Sequence, residues 1–116
     1  MSGQTNSSRD GAIRRAQAIF DDGSYLATLR ELVAVPTESQ MPERTGELYR
    51  YLGSVLGPHL AAMGFATRVL DNPRPGRGPV LFASMGQEAG KPTVLLYGHG
   101  DVVRGLAEKW RQGLDP

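Results

Sequence analysis

The stretch that most constrains this chain is Thr93 to Val103, TVLLYGHGDVV, where an uninterrupted apolar run leads straight into a glycine-flanked His and Asp. Thr93 to Tyr97 is β-branched and apolar with Pro92 ahead of it, the pattern of a buried strand entered from a turn. Gly98 and Gly100 then loosen the backbone. In extended backbone the side chains at i and i+2 leave the same face, so His99 and Asp101 are expected to point the same way. A neutral imidazole is the commonest metal ligand, and its second ring nitrogen usually donates to a carboxylate or carbonyl that fixes tautomer and orientation. Half of a metal site is therefore the first expectation.

These residues carry a resemblance. The apolar strand, His99-Gly100-Asp101-Val102-Val103, then Trp110 and the Asp115-Pro116 pair, is similar to the zinc-dependent aminoacylase, acetylornithine deacetylase and glutamate carboxypeptidase type of metallopeptidase. Upstream, LRELVAVPTES (Leu29 to Ser39) resembles that family's first helix and the turn after it, so the likeness covers about residues 24 to 116. Arg104 departs from it, at a place where Pro is more usual. The resemblance implies an N-terminal portion of a catalytic domain. The parent protein would hold two divalent metals, zinc with cobalt or manganese as substitutes. A metal-held water would cleave the amide bond of an N-acyl amino acid or short peptide. Residue by residue it carries over His99 as a ligand to one metal and Asp101 as the catalytic-site residue that clamps its imidazole. The remaining ligands and the general base are expected downstream of Pro116, so the 116-residue chain alone should be inactive. A homodimer of the longer protein stays open, and a stand-alone, non-catalytic binding or interaction domain derived from such an enzyme is the alternative.

Composition narrows the other classes. One domain is expected at this length, burying roughly 65% of its unfolded surface. With 40% hydrophobic and 22% charged residues the chain is ordinary for a globular domain. Its 13 basic residues nearly cancel its 12 acidic ones, so no strong field favours nucleic acid or an anionic membrane. The absence of Cys excludes a disulfide framework, a thiolate zinc site and a cysteine nucleophile, leaving His and carboxylate as metal donors. No run approaches the ~18 apolar residues of a membrane span, and the polar start MSGQTNSSRDG is unlike a signal peptide, which makes the cytoplasm the default location.

Along the chain, residues 1–10 read as a flexible tail and 11–116 as the metallopeptidase-like portion. Ile13, Ala16, Ile19 and Phe20 predict a short helix from Ala12 to Phe20. Ser24 is placed to cap a second, carrying Leu26, Leu29, Leu32 and Val33 and ending near Ala34 before Pro36. Pro42 and Glu43 open a third, whose stripe of Leu48, Leu52, Val55, Leu56, Leu60 and Met63 is interrupted at Gly57-Pro58 by a kink or a restart, with Gly64 as its stop. Phe65 to Leu70 and Val80 to Met85 predict antiparallel strands, because DNPRPGRGP between them is too short for a helical crossover. The expected class is α/β: two or three N-terminal helices, then the first three strands of a mixed sheet in an incomplete catalytic domain. Ligands of open α/β sheets collect at the carboxyl ends of strands, which is where His99 stands.

Each candidate has a plainer reading. His99 could be a strand-end histidine satisfied by a carbonyl, and Asp101 a loop carboxylate capping an amide. The surrounding pattern favours ligand and clamp. His59, the only other His, lies in the Gly57-Pro58 break and reads as a capping or solvent-facing residue. Trp110 reads as an anchor for the loop after the motif, and Arg74 with Arg77 as a solvated turn. Ser24, Ser39 and Ser84 have no His and acid nearby in sequence to support a serine hydrolase, and GHGDVVRG has neither P-loop nor dinucleotide spacing.

Overall fold

A computed structural model describes residues 8–86 and 88–115. By backbone contacts the chain forms one unit up to Ala34 and a second from Val35 onward.

The first unit is a helical pair. Helix α1, Arg9–Asp21, starts earlier than the apolar spacing indicates, because the Ser8 hydroxyl accepts the Gly11 N–H at 3.1 Å and supplies an N-cap. Of the expected tail, residues 1–7 lie outside the described residues, and Arg9 and Asp10 belong to α1. Helix α2, Ser24–Val33, is not capped by Ser24. Gly23 takes the cap position in the left-handed region (φ 84°), and the Asp22 carboxylate accepts the Ser24 N–H at 2.8 Å. Ser24 is the first helical residue, so its N–H is one of the orphan donors of the helix start, and the Asp22 carboxylate satisfies it.

The second unit opens with the segment Val35 to Ser39, in which the Thr37 N–H donates to the Val35 carbonyl at 2.8 Å. A 3-10 turn at Pro42–Arg44 then leads into a continuous helical rod: α3, Thr45–Arg50; a π-helical stretch, Tyr51–Leu56; and α4, Gly57–Ala62. The break expected at Gly57-Pro58 is thus a π-helical stretch. Pro58 has no N–H for the carbonyl a turn behind it, and widening the preceding turn moves that carbonyl off the proline ring. Gly57 fits there because a Cβ would approach the Leu52 carbonyl oxygen to 2.9 Å. The rod stops at Gly64 (φ 95°), with Gly64 N–H donating to Ala61 and Phe65 N–H to Leu60, the two bonds of a Schellman motif.

Strands β1, Ala66–Leu70, and β2, Val80–Ser84, follow as an antiparallel pair in the register Ala66↔Ser84 to Leu70↔Val80. The rod packs on this hairpin, burying Leu48 and Val55, and Gly53 lies close enough for a Cβ to touch Val69. Between the strands the Asn72 side chain donates to the Gly78 carbonyl at 3.2 Å and accepts the Arg74 N–H at 3.0 Å, so the Arg74 and Arg77 segment is a turn held by Asn72.

The expected third strand is not formed. Among the described residues the sheet has two strands, and Thr93 to Tyr97 joins no ladder. Val94, Leu95, Leu96 and Tyr97 are 78%, 88%, 84% and 90% exposed. High β propensity is a demand for neighbours on both edges and both faces, and no described residue meets it for this run. The α/β content stands; the mixed three-stranded sheet does not. No helix among the described residues is long and apolar enough to cross a membrane.

Candidate functional site

The His99-Gly100-Asp101 motif is positioned by a segment more than sixty residues upstream. Val35 and Thr37 are buried, at 4% and 2% exposure, and fix the segment Val35 to Ser39. Glu38 and Val102 then form an isolated parallel bridge. The Thr37 carbonyl accepts the Val102 N–H at 3.0 Å, and the Thr37 hydroxyl donates to the Gly100 carbonyl at 2.5 Å. Ser39 Oγ donates to Asp101 Oδ2 at 2.7 Å. Glu38 reaches beyond the motif: Oε1 accepts the Gly105 N–H at 3.1 Å, and Oε2 meets Arg44 Nε at 3.3 Å. From the rod, Tyr51 lies against Gly100 so closely that any Cβ there would overlap its ring. The glycine is required by close approach, a role distinct from the loosening of the backbone inferred from sequence.

Asp101 Oδ1 lies 3.1 Å from His99 Nδ1. An ionised carboxylate only accepts, so Nδ1 must carry the hydrogen and, in the neutral ring, Nε2 holds the lone pair. His99 is 69% exposed, which keeps that nitrogen accessible. The carboxylate is itself oriented. The Ser39 hydrogen bond holds the Asp101 carboxyl below the ordinary carboxylate range; burial opposes this, and the hydrogen bond with the His99 ring lowers it further. The result is a relay, Ser39 to Asp101 to His99, in which each side chain sets the direction of the next.

The relay is not a serine-hydrolase triad. In that arrangement the His stands between Ser and acid and takes the hydroxyl proton, whereas Ser39 spends its hydrogen on Asp101. What the geometry offers is one directed imidazole, which matches one corner of a metal shell. Among the described residues no group of three or more His, Asp or Glu side chains converges to hold an ion, so a closed zinc site is not assembled from them.

The structure brings both sequence-derived site residues, His99 and Asp101, into contact. His59 lies in α4, and Trp110 serves as an anchor, donating from Nε1 to the Gly105 carbonyl at 2.6 Å. Asp115 is described and Pro116 lies outside the described residues. Sequence reasoning set Ser39 aside and did not single out Thr37 or Glu38. The only available signal was that PTES follows the first matched helix, and nothing local marks it as the partner of a motif so far away. Comparison with family models, with curated proteins and with solved structures returns no match to this chain.

Proposed function

We infer that this chain is the N-terminal portion of a metal-dependent hydrolase that cleaves the amide bond of an N-acyl amino acid or short peptide, with His99 a ligand to one divalent metal, zinc foremost, and Asp101 its orienting partner. The reading rests on the motif's resemblance and on one observation, the 3.1 Å contact of Asp101 Oδ1 with His99 Nδ1 that directs Nε2 outward. Metal-binding imidazoles almost always have such a partner, and this one is further held by Ser39. Bound metal would polarise a carbonyl and acidify a water; the chain's own residues orient the imidazole, and the other ligands would come from outside the described residues.

The experiment is to read the coding sequence on either side of this chain, express the encoded product, and measure metal content and N-acetyl amino acid hydrolysis in wild type, His99→Ala and Asp101→Ala. His99→Ala should lose one metal and nearly all activity. Asp101→Ala keeps the ligand and loses its clamp, for which a loss of ~10 to 100-fold in metal affinity or rate is typical. Full metal occupancy and wild-type rate in His99→Ala would remove the assignment, and with it the substrate class. Residues 1–116 alone should be inactive on the same substrates; chelator-sensitive turnover that His99→Ala abolishes would contradict the reading of a partial site.

A further inference from the structure

Beyond the motif the chain folds into a short, cross-braced loop. The Gly105 N–H is held by Glu38, and the Gly105 carbonyl accepts from the Trp110 indole. Leu106 sits in the left-handed region (φ 48°), the only non-glycine described residue with positive φ, and starts the 3-10 turn Ala107–Lys109. A second turn follows, with the Leu114 N–H donating to the Arg111 carbonyl at 3.0 Å and Gly113 at φ 79°.

These turns border an open depression of the surface, about 640 Å³ in volume, whose side chains are exposed. Its walls are apolar, formed by Leu106, Trp110 and Leu114, and its charged lining consists of Arg104, Lys109 and Arg111. Among the described residues no carboxylate lines it; Glu108 and Asp115 are near in sequence but are not among the lining residues. None of the three cations makes an ion pair or side-chain hydrogen bond with another described residue. The indole N–H is already spent on Gly105, so Trp110 presents a ring face and no donor.

We propose that this cavity binds a small organic carboxylate with an apolar body, the carboxylate on Arg104, Lys109 and Arg111 and the apolar part against Trp110, Leu106 and Leu114. Apolar groups beside a few polar ones are the usual composition of a small-molecule site, and here three cations share one depression with Trp110, Leu106 and Leu114. Two guanidiniums match the planar, two-oxygen shape of a carboxylate better than ammonium groups would, and a cavity with three cations and no acid rejects cationic ligands. The bracing by Glu38 and Trp110 means that little ordering remains to be done on binding. The site does not depend on whether His99 holds a metal.

Trp110 is the only tryptophan of the chain, so its fluorescence reports on this cavity alone. The probe is cyclohexanecarboxylate, which does not absorb with the indole, titrated into the full chain at low ionic strength beside its uncharged analogue cyclohexanecarboxamide. The acid should give a saturable change in Trp110 emission, weakened by added salt, and the amide should bind about 10-fold or more weakly, the usual worth of a charge-assisted hydrogen bond. Arg111→Gln and Arg104→Gln, changes on exposed side chains with folding checked by circular dichroism, should each weaken the acid by about 10-fold and leave the amide unchanged. No saturable change with the acid, equal binding of acid and amide, or unaltered acid affinity in both variants would each overturn the proposal.

Discussion

Thr37 holds Gly100 from the far side of the chain: its hydroxyl donates to the Gly100 carbonyl at 2.5 Å, while its own carbonyl takes the N–H of Val102 at 3.0 Å. The glycine between His99 and Asp101 is thereby tied to a residue that is 2% exposed. Replacing Thr37 by Val keeps the shape and removes the donor, leaving a carbonyl without its partner. The expected cost is about 1–3 kcal/mol of unfolding free energy, with Thr37→Ser much milder because the hydroxyl is retained. Urea unfolding of the two variants checks this; a wild-type midpoint for Thr37→Val would mean that the bond contributes nothing.

Ser39→Ala should raise the Asp101 carboxyl pKa, since the Ser39 hydrogen bond is the main cause of its depression. The sign for stability follows from linkage. A folded pKa below the unfolded one stabilises the protein above the unfolded pKa, near 4 for Asp, and that contribution is lost as pH falls through the folded value. Ser39→Ala should therefore flatten the acid limb of the stability profile. The check is NMR titration of the Asp101 carboxyl carbon in metal-free protein, where identical curves for wild type and variant would contradict the relay.

Gly100→Ala tests the contact with the rod. A methyl group there overlaps the Tyr51 ring near its hydroxyl end, so ring or backbone must move, at an expected cost of about 1–3 kcal/mol. Tyr51→Leu shortens the side chain and should relieve most of that penalty. A double-mutant cycle measures the coupling, and additive effects would show that the two residues do not compete for space.

The exposed run Val94 to Tyr97 should make the isolated chain self-associate, because an apolar run of high β propensity with unpaired backbone and no internal charge invites edge-to-edge pairing. Leu95→Lys places a charge at its centre and should shift the protein toward monomer without changing its helical circular dichroism. Light scattering over a concentration series decides; a wild-type monomer at high concentration would refute the expectation.

What could be read from sequence divides by range. The Gly64 stop, the turn between Leu70 and Val80 and the register it permits are set by near neighbours, and they appear where the residues indicate. The Gly57-Pro58 irregularity was legible as a location; its π-helical form was not, since that depends on how the preceding turn accommodates the ring. Thr93 to Tyr97 misled because propensity states what a segment would do with partners and is silent on whether they exist. At the site, the two-residue spacing of His99 and Asp101 was enough to bring them together. Ser39 and Thr37 escaped because a serine or threonine in a turn looks the same whether or not an acid or a carbonyl from a distant loop comes to it.

The grip of the Val35 to Ser39 segment on the motif also has a meaning in time. Helices and hairpins close small loops and can form within microseconds, but aiming His99 requires closing a loop of about sixty residues, an entropic step that precedes any reward from the contacts it allows. Orientation of the imidazole is therefore the late event in folding: a chain that already shows its full helical and hairpin signals can still have His99 pointing nowhere.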